Sequence, residues 1–472
     1  MIKYFRLSLA ALALSMVSVG FVACGDDDDP ASEKVDPSKP DNPVDPVTPD
    51  KGDAMTQAEQ KEYLQQVARE FMDLTPASDF RELVNLGKHI KETYGGKNYD
   101  WDNVGKWAED IVNASRNALG TTDRVNISDY RTNVYENYKA ILIASNFYSH
   151  FTASNGSWVR SDASDLQFIF KDQNGKQCVL KVETSGNSKD LYAFNVYDRT
   201  KEDYDYNNGS YTYIRYYDRT KCIIRVPENI NVTLTQAGAQ VLKIAVKIDL
   251  GSITNEEFDF SKDNLNVSTV VELNNGYKAN LSNVTYQGNS KVAVVFELSK
   301  NGKSLVSLSA ASDVSGIPSV NLGAFSEKEF DKDNYYTDDA NAKNAVVKVD
   351  ILGKVQVQGT CSDVKKFAEY IKKADDAEYE ESNFKSYINQ ANGLMDLNVF
   401  YDNNAVKQAT IKLEPFQKTK YDGRVKWTSE PVMVFYDGSS YSTFSAFFNE
   451  SDFKAVIDDF NKLIEKYKDL VE

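Results

Sequence analysis

Histidine is nearly missing from this chain: His89 and His150 are the only two among 472 residues, and neither has a second ligand at metal-binding spacing. That removes most His-dependent catalysis. There is no His-Glu-x-x-His, no Gly-x-Ser-x-Gly, no Gly-rich phosphate loop and no Cys-x-x-Cys. Zinc peptidase, serine hydrolase and nucleotide-enzyme chemistry therefore have no local support, and no motif calls for a cofactor. Positive charge is also short. With 54 Lys and Arg against 70 Asp and Glu, the net charge is -16. This argues against nucleic acid or an anionic membrane surface as partner, since both are bound through basic clusters. Apolar residues are not lacking: 41% of the chain is hydrophobic and 12% aromatic, enough for a real core in two or three domains.

Cysteine is scarce too, and its first occurrence is the informative one. Lys3 and Arg6 precede a small and apolar run from Leu7 to Val22, which ends at Ala23-Cys24. At ~1.5 Å per residue this run reaches about 24 Å, short of the ~30 Å hydrocarbon layer, so it reads as a signal peptide and not a membrane span. Phe21-Val22-Ala23-Cys24 resembles a lipobox, with Phe21 in place of the usual Leu, and Gly25 and Asp26, Asp27, Asp28 and Asp29 follow it directly. In this the N-terminus is similar to the surface-exposed outer-membrane lipoproteins of Bacteroidota. The resemblance implies that Cys24 is acylated and becomes the mature N-terminus. It further implies that the four aspartates act as an export signal, leaving the protein lipid-anchored in the outer membrane and facing the cell exterior. It covers residues 1-29 and implies nothing about the globular part. An ordinary cleaved secretory peptide with a chance Cys is the alternative reading of the same residues.

Of eleven prolines, six lie between residues 30 and 53, and Pro37, Pro40, Pro43, Pro46 and Pro49 recur at intervals of three. Polyproline II has three residues per turn, so these rings line one edge of an extended rod. Residues 25-54 carry ten acidic and three basic side chains, and self-repulsion stiffens them further. A stalk between anchor and globular part is the economical reading; a Pro-rich docking motif is the other.

Five segments follow: 1-23 signal peptide, 24-54 lipidated Cys and tether, 55-150 helical, 151-360 antiparallel β, 361-472 α+β. Thr56 with Glu59 three residues on has capping-box spacing, and Tyr63, Leu64, Val67, Phe71 and Leu74 continue at helical period. A second helix is expected from Ser78 or Asp79 to Gly95-Gly96, and a third from Asp102 with Val104, Trp107, Ile111 and Val112 inward. Ser128-Phe151 fits helix or strand. From Trp158 to about Thr360 the period becomes two. Asn174-Gly175, Asn275-Gly276 and Asn301-Gly302 sit between apolar runs as hairpin signals. A helix capped by Ser362 is expected next, then strands near Leu394-Tyr401, Val406-Leu413 and Val432-Tyr436. An amphipathic helix after Asn449 or Ser451 closes the chain. The fold class is α+β: N-terminal helices packed on a long antiparallel sheet built as a meander of hairpins, then C-terminal strands and an amphipathic helix.

Tyr197-Asp198-Arg199-Thr200-Lys201 recurs as Tyr217-Asp218-Arg219-Thr220-Lys221 around Asn208-Gly209. Folded as a two-residue hairpin there, Asp198 opposes Arg219, Arg199 opposes Asp218, Glu202 opposes Arg215, Tyr204 opposes Tyr213 and Tyr206 opposes Tyr211. These charge and aromatic pairs favour that register. The pattern is self-complementary, which suffices as a structural cause. Its functional reading is a ladder of Tyr204, Tyr206, Tyr211 and Tyr213 that stacks on a sugar ring or a partner protein.

Calcium ligation fails at Asp203, Asp205 and Asn207, where Asn208 stands in the place of the sharp-turn Gly and Ile214 in that of the bidentate Glu. Asp331, Asp333, Asp338 and Asp339 read as a solvated acidic loop or a weak calcium site. Without Cys24, Cys178, Cys222 and Cys361 are an odd number; small buried hydrophobes or a Cys178 to Cys222 disulfide account for them. The leading functional expectation is non-catalytic binding of a glycan or protein at the cell surface. An open half-barrel carrying lipid or lipoprotein cargo would need a continuous apolar concave face. A carboxylate-dependent glycan hydrolase would need two acids converging in a cleft.

Overall fold

Thr56 begins the folded chain as the capping box requires. Its Oγ1 accepts from the Glu59 amide at 3.3 Å, and Glu59 Oε2 accepts from the Thr56 amide at 2.8 Å. In this computed structural model residues 54-471 are described, except 97, 119-126, 130-131, 137-140, 187-188, 206-209, 252-257, 260, 317-320, 323-340, 404-405, 420-423, 438-441 and 449. The described helices are α1 (Gln57–Leu74), α2 (Arg81–Tyr94), α3 (Asp102–Ala118), α4 (Val364–Asp376), α5 (Glu381–Asn392), α6 (Phe444–Phe447) and α7 (Glu450–Val471). Thr56→Ala removes one of the two cap bonds, and we expect it to cost about 1 kcal/mol, read as a lowered urea midpoint.

The first strands are β1 (Ile127–Asp129), β2 (Thr132–Glu136), β3 (Ile141–Leu142), β4 (Ser149–Ser154), β5 (Ser157–Asp162), β6 (Leu166–Lys171) and β7 (Gln177–Ser185). Next come β8 (Lys189–Asp205), β9 (Ser210–Val226), β10 (Asn229–Gln236), β11 (Ala239–Asp249), β12 (Phe258–Asp259), β13 (Asn264–Leu273), β14 (Tyr277–Gln287) and β15 (Lys291–Lys300). The last are β16 (Lys303–Ser315), β17 (Asn321–Leu322), β18 (Asn341–Ile351), β19 (Val355–Asp363), β20 (Met395–Tyr401), β21 (Ala409–Thr419), β22 (Val425–Phe435) and β23 (Ser442–Thr443). The fold is α+β with N-terminal helices and long, mostly antiparallel sheet. The chain divides into two compact units. Of the described residues, one gathers those up to Val84 with those of 302–310 and from 343 onward; the other gathers those of 85–301 and 311–342.

In the first unit the strand order is β23-β22-β21-β20-β19-β18-β16. Val357, Val399, Ala409 and Phe435 are opposed in turn across β19 to β22, so they share one face. Helices cover that face. Tyr401 donates to Gln60 Oε1 of α1 at 3.0 Å, and Phe435 meets Phe447 of α6 at 5.3 Å between ring centroids. Leu413 and Trp427 pack on Ala374, Phe384 and Ile388 of α4 and α5. Gln60 is wholly buried, and its amide donates to the carbonyls of Met55 and Gln408. The reverse face is mostly polar, with Gln358, Asn398 and Thr410 opposed in one row and Lys412 beyond them. α5 was not expected from the sequence. The helix before it is capped by Asp363 and not Ser362: the Asp363 carboxylate accepts from the Lys366 amide at 3.0 Å. A charged acceptor at N-cap is at least as good as a hydroxyl.

In the second unit the order is β15-β14-β13-β11-β10-β7-β6-β4-β5, antiparallel throughout except for the parallel β4 to β6 pair. Alternation is nearly complete. Leu166, Val182, Val232, Ile244, Val271, Ala279 and Leu298 stand in one directly opposed row. The adjacent row, on the other face, runs Gln167, Lys181, Thr233, Lys243, Glu272, Lys278 and Ser299. Glu272 there takes ion pairs from Lys278 at 3.2 Å and Lys243 at 4.0 Å. A one-residue slip would exchange these faces, which is why the register is firm. The meander is interrupted: β8 and β9 leave between β7 and β10, which pair directly with each other. They form a separate sheet in which β2 and β3 run parallel to β9. The ambiguous stretch before Phe151 is thus mainly strand, and the second helix is preceded by a 3₁₀ turn at Ala77–Phe80.

Candidate functional site

The tyrosine hairpin has a different register from the one its charges favour. Tyr204 opposes Tyr211, and Tyr213 opposes Glu202, so Tyr204 and Tyr213 are not directly paired. The closing pair is Asp205 with Ser210; Tyr206, Asn207, Asn208 and Gly209 lie between them, outside the described residues. Asp198 and Arg219 become diagonal neighbours, since Asp198 opposes Tyr217. The two registers differ in their connection: Asp205 and Ser210 pair with four residues between them, where a two-residue turn at Asn208-Gly209 would pair Asn207 with Ser210, and connection length sets hairpin register. The shift is by two positions, so Tyr204, Tyr211 and Tyr213 keep the same strand parity. Cys24, Asp26, Asp27, Asp28 and Asp29 lie outside the described residues, as do Asp331, Asp333, Asp338 and Asp339.

Both histidines are structural. His89 on α2 contacts the Lys171 carbonyl at 3.0 Å through Nε2, and Tyr94 donates to the same carbonyl at 3.0 Å, so two side chains tie α2 to β6. His150 meets Asp165 at 2.5 Å. Asp165 also accepts from Gln167 at 3.0 Å and pairs with Lys181 at 3.2 Å. Burial alone would raise its pKa, but the bonds from Gln167, His150 and Lys181 outweigh burial and hold the carboxyl at about 2. A carboxyl depressed in the folded state adds stability that is present above its unfolded pKa of about 4 and disappears as pH falls through about 2. Asp165→Asn should therefore flatten the loss of stability between about pH 4 and pH 2, measured by urea unfolding across that range; an unchanged acid limb would contradict this. Cys178 is a wholly buried free thiol, its pKa raised by burial, so the Cys178 to Cys222 bridge is not formed; Cys361 is free as well.

The cleft that stands out lies in the second unit, between α3 and β5. Asn103, Lys106, Trp107, Asp110, Ile111 and Ala114 recur at helical spacing along one stripe of α3 and form one wall. Trp158, Val159 and Arg160 of β5, with Asn146, form the other. Its volume is about 570 Å³, within the ~300 to 1,000 Å³ of small-molecule sites. Strands β4 and β5 turn tightly at Asn155-Gly156, where φ is 47° and 81°, and the Asp100 amide just before α3 donates to the Gly156 carbonyl at 2.8 Å. Few residues besides Asn and Gly tolerate two successive left-handed positions, so this is a further hairpin signal of the same kind as those read above.

Beneath the cleft is an aromatic cage. Trp158, only 2% exposed, is ringed by Trp101 at 5.2 Å, Phe168 at 5.3 Å, Tyr99 at 5.5 Å and Tyr94 at 5.9 Å. Its Nε1 has no acceptor among the described residues, and the surrounding ring faces are weak acceptors for an N–H. Trp107 is half-buried; it meets Phe151 edge-on at 4.9 Å and Phe147 at 5.8 Å. Those contacts hold the indole in place at the cleft wall.

No family model, curated protein or solved structure matches this chain.

The chemistry must then be read from the cleft itself. Lys106 and Asp110 stand one helical turn apart, exposed, and neither side chain has a partner among the described residues. Arg160 is engaged, with Nε donating to Ser149 Oγ at 3.1 Å and Nη2 paired with Asp162. Asn103 reaches the Trp158 carbonyl at 3.4 Å. An indole wall flanked by unengaged donors and acceptors is suited to stacking an apolar ring face while bonding polar groups at the ring edge. By spacing alone, Trp107 belongs to the inward stripe with Val104, Ile111 and Val112. The missed signal was that Asn103, Lys106 and Asp110 lie on the same helical face as Trp107 and Ile111, where a core stripe would be apolar.

Proposed function

We propose that this chain is a lipid-anchored protein of the outer membrane, facing the cell exterior, whose globular part binds a glycan without catalysis. The observation that carries the reading is the α3/β5 cleft: a fixed indole, Trp107, beside an ammonium and a carboxylate that have no partner among the described residues. The anchor rests on Cys24 and the outward orientation on Asp26-Asp29, both from sequence resemblance alone. Asp110 is the single carboxylate among the described lining residues of the cleft, whereas hydrolysis by the two-carboxylate route needs a second acid close by. Retardation of the full-length protein on immobilised polysaccharides tests the binding. Trp107→Ala should abolish retardation on whichever polymer holds the wild type, with affinity falling at least tenfold; equal retardation of both proteins would remove the cleft from the account.

The carrier reading retains one specific support, the apolar row from Leu166 to Leu298, whose central members Val182, Val232, Ile244, Val271 and Ala279 are only half-buried. Lipid recovered stoichiometrically from the purified protein would favour it over glycan binding.

A further inference from the structure

Resting on that glycan reading, the charge balance of the cleft narrows its ligand. We infer that it takes a neutral pyranose, with Trp107 stacking on the sugar's C–H face and Asp110 accepting from neighbouring hydroxyls. Among the described residues, three charged side chains line the cleft, Lys106, Asp110 and Arg160. Asp162 already compensates Arg160, which leaves one ammonium and one carboxylate, a locally neutral site. The whole chain carries -16, so long-range forces repel a polyanionic glycan instead of drawing it in.

Asp110, which has no partner among the described residues, sharpens the selection. A carboxylate is an acceptor only, so it matches hydroxyl donors and repels a uronate carboxylate placed against it. Lys106 supplies the complementary donor for ring and hydroxyl oxygens from the same wall. A free hydroxyl pair thus finds acceptor and donor one helical turn apart, while the indole takes the apolar ring face.

The test is calorimetric titration of the full-length protein in detergent with neutral hexasaccharides (maltohexaose, cellohexaose and mannohexaose) and with hexagalacturonate, at 50 and 500 mM NaCl. At least one neutral hexamer should bind, hexagalacturonate should bind at least tenfold more weakly, and the neutral affinity should change less than twofold with salt. Asp110→Asn, nearly isosteric and exposed, should keep the wild-type melting temperature and lose at least fivefold in affinity. Hexagalacturonate binding as tightly as any neutral hexamer, or an unaltered affinity in Asp110→Asn, overturns the inference and leaves glycan binding standing. Absence of binding by every hexamer of both classes overturns the two together.

Discussion

Trp158→Ala is expected to destabilise the second unit by about 3 to 5 kcal/mol, the range for truncating a fully buried large aromatic. The residue is 2% exposed and contacts Tyr94, Tyr99, Trp101 and Phe168, so the void would open where α2, the loop before α3 and strands β5 and β6 converge. Tyr94 also meets Phe170 at 5.4 Å, which carries the loss one strand further. Relaxation is limited, because Tyr94 is tied through its hydroxyl to the Lys171 carbonyl and amide at 3.0 and 3.1 Å. Urea unfolding followed by near-ultraviolet circular dichroism would show the midpoint displaced. A midpoint within error of the wild type would mean that the cage does not hold the cleft.

Cys24→Ala should release the protein from membranes altogether. Each buried methylene contributes about 0.8 kcal/mol, and a single acyl chain already gives marginal, reversible attachment; the acylated Cys of a bacterial lipoprotein carries more than one chain, which makes attachment stable. No described helix is long and apolar enough to span a bilayer and replace the anchor. Wild-type protein should partition into the detergent phase of a cloud-point extraction and the variant into the aqueous phase; wild type in the aqueous phase would contradict the anchor. In the same cells, replacing Asp26, Asp27, Asp28 and Asp29 by Ala should leave detergent partitioning intact and make the protein resistant to added protease.

What was legible in the sequence was local. Thr56 and Glu59 announced α1 because both halves of the cap lie within one turn of chain. Asn174-Gly175 and Asn275-Gly276 announced hairpins, with Gly175 at φ 76° and Gly276 at φ 87°, because the turn depends on the residues that make it. α5 escaped because its apolar stripe of Phe384, Tyr387, Ile388 and Ala391 spans only two turns in a polar segment, and its core is completed by α4 and Trp427. The register of β8 and β9 escaped because Asp205 and Ser210 pair with four residues between them, whereas the Asn208-Gly209 signal asks for two. The cleft escaped because Trp107 and Trp158 are about fifty residues apart and line one opening only where α3 lies against β5. Helical spacing placed Trp107 on a face; it did not say that the face would line an opening.

The most direct test of the account is carried out on intact cells lacking the native gene and displaying either wild-type protein or Trp107→Ala at matched, protease-accessible amounts. Each is incubated with fluorescent polysaccharides, and bound label is counted by flow cytometry. Wild-type cells should retain at least one neutral polysaccharide, and Trp107→Ala cells at least tenfold less. Equal retention by both, or retention by neither while the protein is present on the surface, would contradict it.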